Sequence, residues 1–464
     1  MLVFSLSVAW GCPEPRHVAP CVCEEGSRGP EVQCSGVRVG QLREVLDALG
    51  AHMRRIWSLR VSGTDMSGGW ITGALGDLDV AKVVLVDANI SDIQLAEDAA
   101  MHSLDLSSNS LSRIPRTFPV GLRSLSLARN DLERLEAHSF SSLRSLLRLS
   151  LDGNRIRLVD SRAFLGTELS LTRLDLGDNG IGEIPRYALQ GLRCLQGLRL
   201  HGNGLKDAPA DRLPPSLREL DLSDNALDGR NLHFASLSLL NALDLSRNSI
   251  EDLEPGAFRG TQVEWLKLGN NRLTFVPRAA LKNLTRLRAL DLRSNRIAVL
   301  REGDFDGFSN ALRYVFLQNN SISVVEPGSL SALVSAQWLY LHSNDLREML
   351  SEAFEPLLST LRVLDIHDNP WRCDCKVLWL RDWSVSEEGR AVLSLPKETR
   401  CDNPSRHPLA HLNASTCGAQ SRHLSMGLTV MLNRHLRSSP IVNVVLSVVL
   451  HRAVCTELNL SYEE

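Results

Sequence analysis

Ten cysteines are the residues of this chain best suited to covalent chemistry, and eight of them fall into two groups. Cys12, Cys21, Cys23 and Cys34 follow the spacing C-x8-C-x-C-x10-C near the start, and Cys373, Cys375, Cys401 and Cys417 form a second four. Four thiols can hold zinc as a tetrahedral set or pair into disulfides. A C-x-C step beside a long gap fits the usual steps of zinc sites poorly, so disulfides are expected, and with them a compartment outside the cytosol. Cys194 and Cys455 are left over. The first is expected to be a buried free thiol acting as a small apolar side chain, and the second is available for an intermolecular bond. Acid–base work would need paired carboxylates, and Asp175, Asp221, Asp244, Asp291 and Asp365 each stand between two aliphatic residues. Their regular recurrence reads as a solvated polar face rather than a catalytic set. No GxSxG elbow, HExxH pair or phosphate-cradling glycine loop occurs, so no catalytic residue, cofactor or metal is expected. A formal net charge of −3 over 464 residues gives no case for nucleic acid, and 43% hydrophobic residues describe a globular chain.

The elements that position these groups show in Leu287-Arg-Ala-Leu-Asp-Leu-Arg-Ser-Asn-Arg-Ile297. Read as LxxLxLxxNxI, it puts Leu290 and Leu292 two apart, as in a short strand with one inward side, and Asn295 where a turn needs a side-chain amide. The pattern starts again at Met101, Leu122, Leu146, Leu171, Leu195, Leu217, Leu240, Val263, Leu312, Ala336 and Leu361, with the Asn filled each time. Two weaker copies, Ile56 to Met66 and Val80 to Ile90, carry Thr64 and Ala88 there, so the front of the array is expected to be less regular. Starts lie 21 to 25 residues apart, inside the roughly 20-to-29-residue period of leucine-rich repeats. The expected fold is an α/β solenoid, a leucine-rich-repeat horseshoe with a parallel β-sheet on its concave face and disulfide caps at both ends. Large apolar residues eighteen positions after most starts, such as Phe140, Phe258 and Phe305, are expected to stack beneath the strand leucines. Pro-rich stretches such as Leu213-Pro-Pro215 keep the convex side turn-like.

The expected organisation is a short or truncated secretory signal over 1–11, a cysteine-rich cap over 12–55, about 14 repeats over 56–370, a second cap over 371–418, and a tail over 419–464. The tail's most apolar run, Ile441 to Leu450, is too short to span a bilayer, so a secreted extracellular protein without a membrane span is expected. The run Asn369-Pro-Trp-Arg-Cys-Asp-Cys-Lys-Val-Leu-Trp-Leu-Arg-Asp-Trp383, continued by Cys401-Asp-Asn-Pro404, resembles the C-terminal cap of extracellular leucine-rich-repeat proteins such as Slit, the Toll ectodomains and the acid-labile subunit type. The opening Cys12-Pro13 and Ala19-Pro20-Cys21-Val22-Cys23 are similar to secreted arthropod members, including the non-catalytic chain of a shrimp luciferase. The resemblance implies the pairs Cys12–Cys23, Cys21–Cys34, Cys373–Cys401 and Cys375–Cys417. It also implies a protein-binding scaffold with an adhesion, matrix or ligand-carrier role, the alternative being a non-catalytic structural subunit of a secreted enzyme complex.

Residues flanking the inward leucines face the concave side, and there Tyr314, Phe316, Trp338 and Tyr340 gather on adjacent repeats, with Trp265 two repeats before Tyr314. In a chain with 5% aromatics this is a concentration, and it is the expected anchor for an extracellular protein ligand. His342 and His367 hold equivalent places beside it, too few for a metal. Arg148, Arg173 and Arg199, with Arg123 and Arg129 nearby, form a weaker candidate for a sulfated glycosaminoglycan, interrupted by Asp152 and Asp175. Sequons mark Asn89, Asn283, Asn319, Asn413 and Asn459 as glycosylation candidates.

Overall fold

The computed structural model describes residues 11–67, 70–71, 78–403 and 407–412. The candidates Cys417, Cys455, Asn413 and Asn459, the leader and the tail lie outside the described residues. One sixteen-stranded sheet runs the length of the solenoid. Its first two strands, Val22–Gly26 and Gly29–Ser35, form an antiparallel hairpin, and every later neighbour is parallel. The hairpin thus extends the sheet as well as closing its end.

The strands are short because each repeat needs only one inward step of two. Ala289–Asp291 buries Leu290 in the strand, and Leu287 and Leu292 just outside it. Stacked in register, these leucines make one column, Leu266 beside Leu290 beside Val315. Phe140 and Phe164 stack at 5.9 Å behind it, as do Phe234 and Phe258 at 5.8 Å. The convex side is turns and four-residue helices such as Arg278–Leu281, with one eight-residue helix, Ser351–Leu358.

The coils are tied together by asparagine. Asn295 Nδ2 donates to Leu268 O of the preceding coil (3.0 Å) and to Leu292 O of its own (3.0 Å), while Oδ1 accepts from Leu273 N (3.0 Å). The arrangement recurs from Asn109 to Asn369. The ladder ends at Asn369, and Trp371 Nε1 donates to Ile366 O (3.2 Å) where the next ladder amide would stand. The residue just before each ladder position, from Gly63 to Asp368, has positive φ, for example Arg247 at 55° and Asn319 at 56°. A side chain there is strained, and the turn persists because the ladder over-determines it.

The front is more regular than its missing asparagines suggest. Arg55–Ser62 and Asp79–Val86 are eight residues each, aligned over Ile56↔Val80, Leu59↔Val83 and Val61↔Leu85. Their run of valines and isoleucine suits an extended strand, so sheet pairing replaces what the ladder lacks. The substitution still leaves a mark: Thr64 is buried and its hydroxyl has no hydrogen-bond partner among the described residues.

Cys12–Cys23, Cys21–Cys34 and Cys373–Cys401 are disulfides, and Cys375 is also disulfide-bonded. At the front, Val39–His52 buries Leu42, Val45, Leu46 and Leu49, the three-and-four spacing of one helix face. At the far end, Leu378–Val385 and Glu387–Val392 bring buried Leu380 and Leu393 to the last coil, and Trp379 Nε1 donates to Met349 O (2.7 Å). Cys194 is a free thiol of intermediate exposure; it is not fully buried, because its position just before inward Leu195 lies at the edge of the core.

Candidate binding face

The strand register decides which face residues meet. One line of neighbours runs Trp265, Ala289, Tyr314, Trp338, Val363, and the next runs Lys267, Asp291, Phe316, Tyr340, Asp365. Tyr314 and Trp338 stack with ring centres 4.5 Å apart and planes within 11°, and Phe316 and Tyr340 stack at 5.1 Å and 8°. Trp265 and Tyr314 are two strands apart, roughly 10 Å at the usual spacing. Their rings nevertheless come to 5.7 Å, because the residue between them is Ala289, whose methyl leaves room for both to lean inward. All five expected anchors therefore belong to one ring platform. Tyr314, Phe316, Trp338 and Tyr340 are half-buried because each ring covers its neighbour, whereas Trp265 is 45% exposed.

His342 and His367 continue the platform, stacked at 4.6 Å and 14°. Burial holds the His342 imidazole below its ordinary value; the Asp365 carboxylate opposes this and the His367 ring adds to it. Burial raises the Tyr340 phenol, and Asp365 adds to the rise. Asp365 is itself bound to His367 Nδ1 at 2.5 Å. Gln318, one coil before His342, is 8% exposed, and its side-chain oxygen has no donor among the described residues.

The carboxylate column is not the continuous solvated face expected. Arg199 stands between Asp175 and Asp221, and Lys267 between Asp244 and Asp291. Arg199 pairs with Asp175 at 3.2 Å and Lys267 with Asp244 at 2.8 Å. Asp291 and Asp365 are buried, and burial raises the Asp291 carboxyl against the pull of the Arg293 N–H and guanidinium. The basic candidate is divided in the same way. Arg148 and Arg173 are register partners, but Arg199 lies opposite Asp175 and Asp221 in the other line. Arg173 reaches past Gly197 to Glu219 at 3.5 Å. With Arg173 and Arg199 already held by carboxylates, the guanidiniums do not form one anion cradle.

Among the described residues no group of three or more His, Cys, Asp and Glu is placed to hold a metal, and no helix is long and apolar enough to cross a membrane. Of the sequons, Asn283 and Asn319 are both exposed, and Asn89 donates from its amide to Asp65 Oδ1 (3.2 Å). Sequence reasoning missed Ala289 and Gln318. The signal for Ala289 was available, since aligning the repeats puts the smallest side chain of its line between Trp265 and Tyr314.

The leucine rich repeat family pattern matches residues 99–156, 120–169, 148–205, 215–273 and 261–311. Residues 99–205 and 215–311 are therefore leucine-rich repeats. The chain is 30% identical to podocan of Mus musculus over 326 residues, which cover 64% of the chain and 52% of podocan. It is 31% identical to asporin of Bos taurus over 160 residues, 34% of the chain and 42% of asporin. The chain spans about half the length of the podocan-type relatives it matches. A leucine-rich-repeat protein of Leptospira interrogans superposes with a TM-score of 0.62 at 22% identity, covering 79% of this chain and 89% of that one, which establishes the shared fold.

Proposed function

We propose that the protein is an extracellular, non-enzymatic scaffold that binds a protein partner through the ring platform of Trp265, Tyr314, Phe316, Trp338 and Tyr340, in an adhesion, matrix or carrier role. The observation that carries this reading is the placement of five aromatic rings on the strand face rather than in the core. Large rings at the centre of an interface are typical of the few residues that dominate binding energy. The disulfides at both ends of the array support an oxidising, extracellular setting. A parallel sheet whose inward residues are leucines leaves its outer residues free to vary without loss of the fold, which is how such solenoids supply binding surfaces.

The test is affinity capture from secreted fluid with the purified protein, followed by binding of the recovered partner to Trp338→Ala. The variant is expected to lose about 2 kcal/mol or more of binding. Its folding stability should fall by only about 1 kcal/mol, the value of one ring stack. Unchanged affinity in a folded variant would remove the platform from the interface. Recovery of one enzyme chain in a stoichiometric, salt-resistant complex would instead identify the protein as the structural subunit of an enzyme.

A further inference from the structure

The charges bordering the ring platform are unevenly satisfied. Glu264 takes Arg288 at 3.2 Å and Arg286 at 3.7 Å, Asp291 takes Arg293 at 3.1 Å, and Asp365 takes His367. Each of these carboxylates thus has a partner within the molecule, a guanidinium for Glu264 and Asp291 and the His367 ring for Asp365. Arg313 and Arg362 do not. Both are exposed, and neither has an ion pair or side-chain hydrogen bond among the described residues. They immediately precede Tyr314 and Val363 in the chain, so they stand along one edge of the platform, two coils and roughly 10 Å apart. Across the platform the opposite edge carries Arg293, already held by Asp291, and the stacked His342 and His367 rings.

Two guanidiniums without partners along one side and stacked rings in the middle describe the complement of a particular surface. We propose that the partner segment is acidic: an apolar side chain seats against Trp338 and Tyr340, and carboxylates meet Arg313 and Arg362. This rests on the ring platform being the binding face and adds the chemistry of what binds there. A carboxylate suits the site because a guanidinium can bind it through two parallel N–H donors. A basic segment would bring like charges together at the edge and leave the Arg pair desolvated without compensation.

The experiment uses the whole disulfide-bonded protein and three short immobilised peptides that share a Leu-Phe-Leu core and carry Glu, Ser or Lys on both flanks. At low salt the Glu-flanked peptide is expected to capture the protein about tenfold better than the Ser-flanked one, and the Lys-flanked one least. High salt should shrink that order, and the double variant Arg313→Ser, Arg362→Ser should bring the three peptides to within about twofold of one another. Trp338→Ala should lose all three. Equal capture of the three peptides by the unaltered protein would overturn the acidic partner while leaving the platform in place. Unchanged capture by Trp338→Ala would overturn the platform and the proposal together, and so would failure of the unaltered protein to bind the Glu-flanked peptide.

Discussion

Replacing Asn248 by alanine isolates what one rung of the ladder is worth. Its Nδ2 donates to Leu222 O (3.0 Å), Leu245 O (3.1 Å) and Ser246 O (3.2 Å), and its Oδ1 accepts from Leu227 N (3.0 Å). The four partners are not equally dependent on it. Leu222 O keeps Asn225 Nδ2, Leu245 O keeps Asn271 Nδ2, and Ser246 O keeps the Asp224 N–H. Only the Leu227 N–H is left with no acceptor. An orphaned buried donor costs about 1–3 kcal/mol, and each carbonyl that retains one donor adds little, so Asn248→Ala should destabilise by about 2–3 kcal/mol. The neighbour Arg247 serves as control: its ion pair with Asp224 at 3.3 Å is exposed on both sides, and Arg247→Ala should cost about 1 kcal/mol or less. Alanine meets the same left-handed backbone as arginine at φ 55°, so that strain cancels. Urea unfolding with disulfides intact, followed by tryptophan fluorescence and far-ultraviolet circular dichroism, gives the midpoints. Indistinguishable midpoints for the two variants would refute the ladder reasoning, because a buried amide and an exposed guanidinium would then be doing equivalent work.

At the ladder's end, Trp371→Phe deletes the indole donor to Ile366 O, which retains Asn369 Nδ2, and leaves a small cavity where the larger indole was buried. A loss of about 2 kcal/mol in the same unfolding assay is expected from the lost bond and the cavity together, and no loss would refute both contributions. His342 is held below its ordinary value of 6.5 by burial, so the folded protein takes up its proton less readily than the unfolded chain. Its contribution is therefore lost as pH falls through the unfolded value toward the folded one, and His342→Gln should flatten the fall in melting temperature between about pH 7.5 and 5.5. A steeper fall in the variant would reverse the sign. For glycans, site-resolved peptide analysis should find Asn283, exposed on the convex flank, occupied, and Asn319, beside the ring platform, largely bare. The reverse pattern would count against the platform as the binding face.

Much of this molecule is local, and local features are legible in a repeat. A step of two followed by Asn needs no knowledge of distant residues, and recurrence at nearly constant period forces equivalent residues into columns, so the leucine core, the asparagine ladder and the parallel sheet follow from the pattern. The aromatic stacks at Tyr314–Trp338 and Phe316–Tyr340 follow too, since equal positions in adjacent repeats must be neighbours. Contacts that skip a strand do not follow. Trp265 reaches Tyr314 only because Ala289 is small, and Arg173 reaches Glu219 only because Gly197 leaves the way open. Which charges are satisfied was equally invisible: Asp291 and Asp365 occupy the same position as Asp244, but the residues around them bury the first two and leave the third only partly covered. Repetition settles the position of each residue within its coil, whereas exposure and pairing depend on side-chain reach across coils, which tertiary packing alone decides.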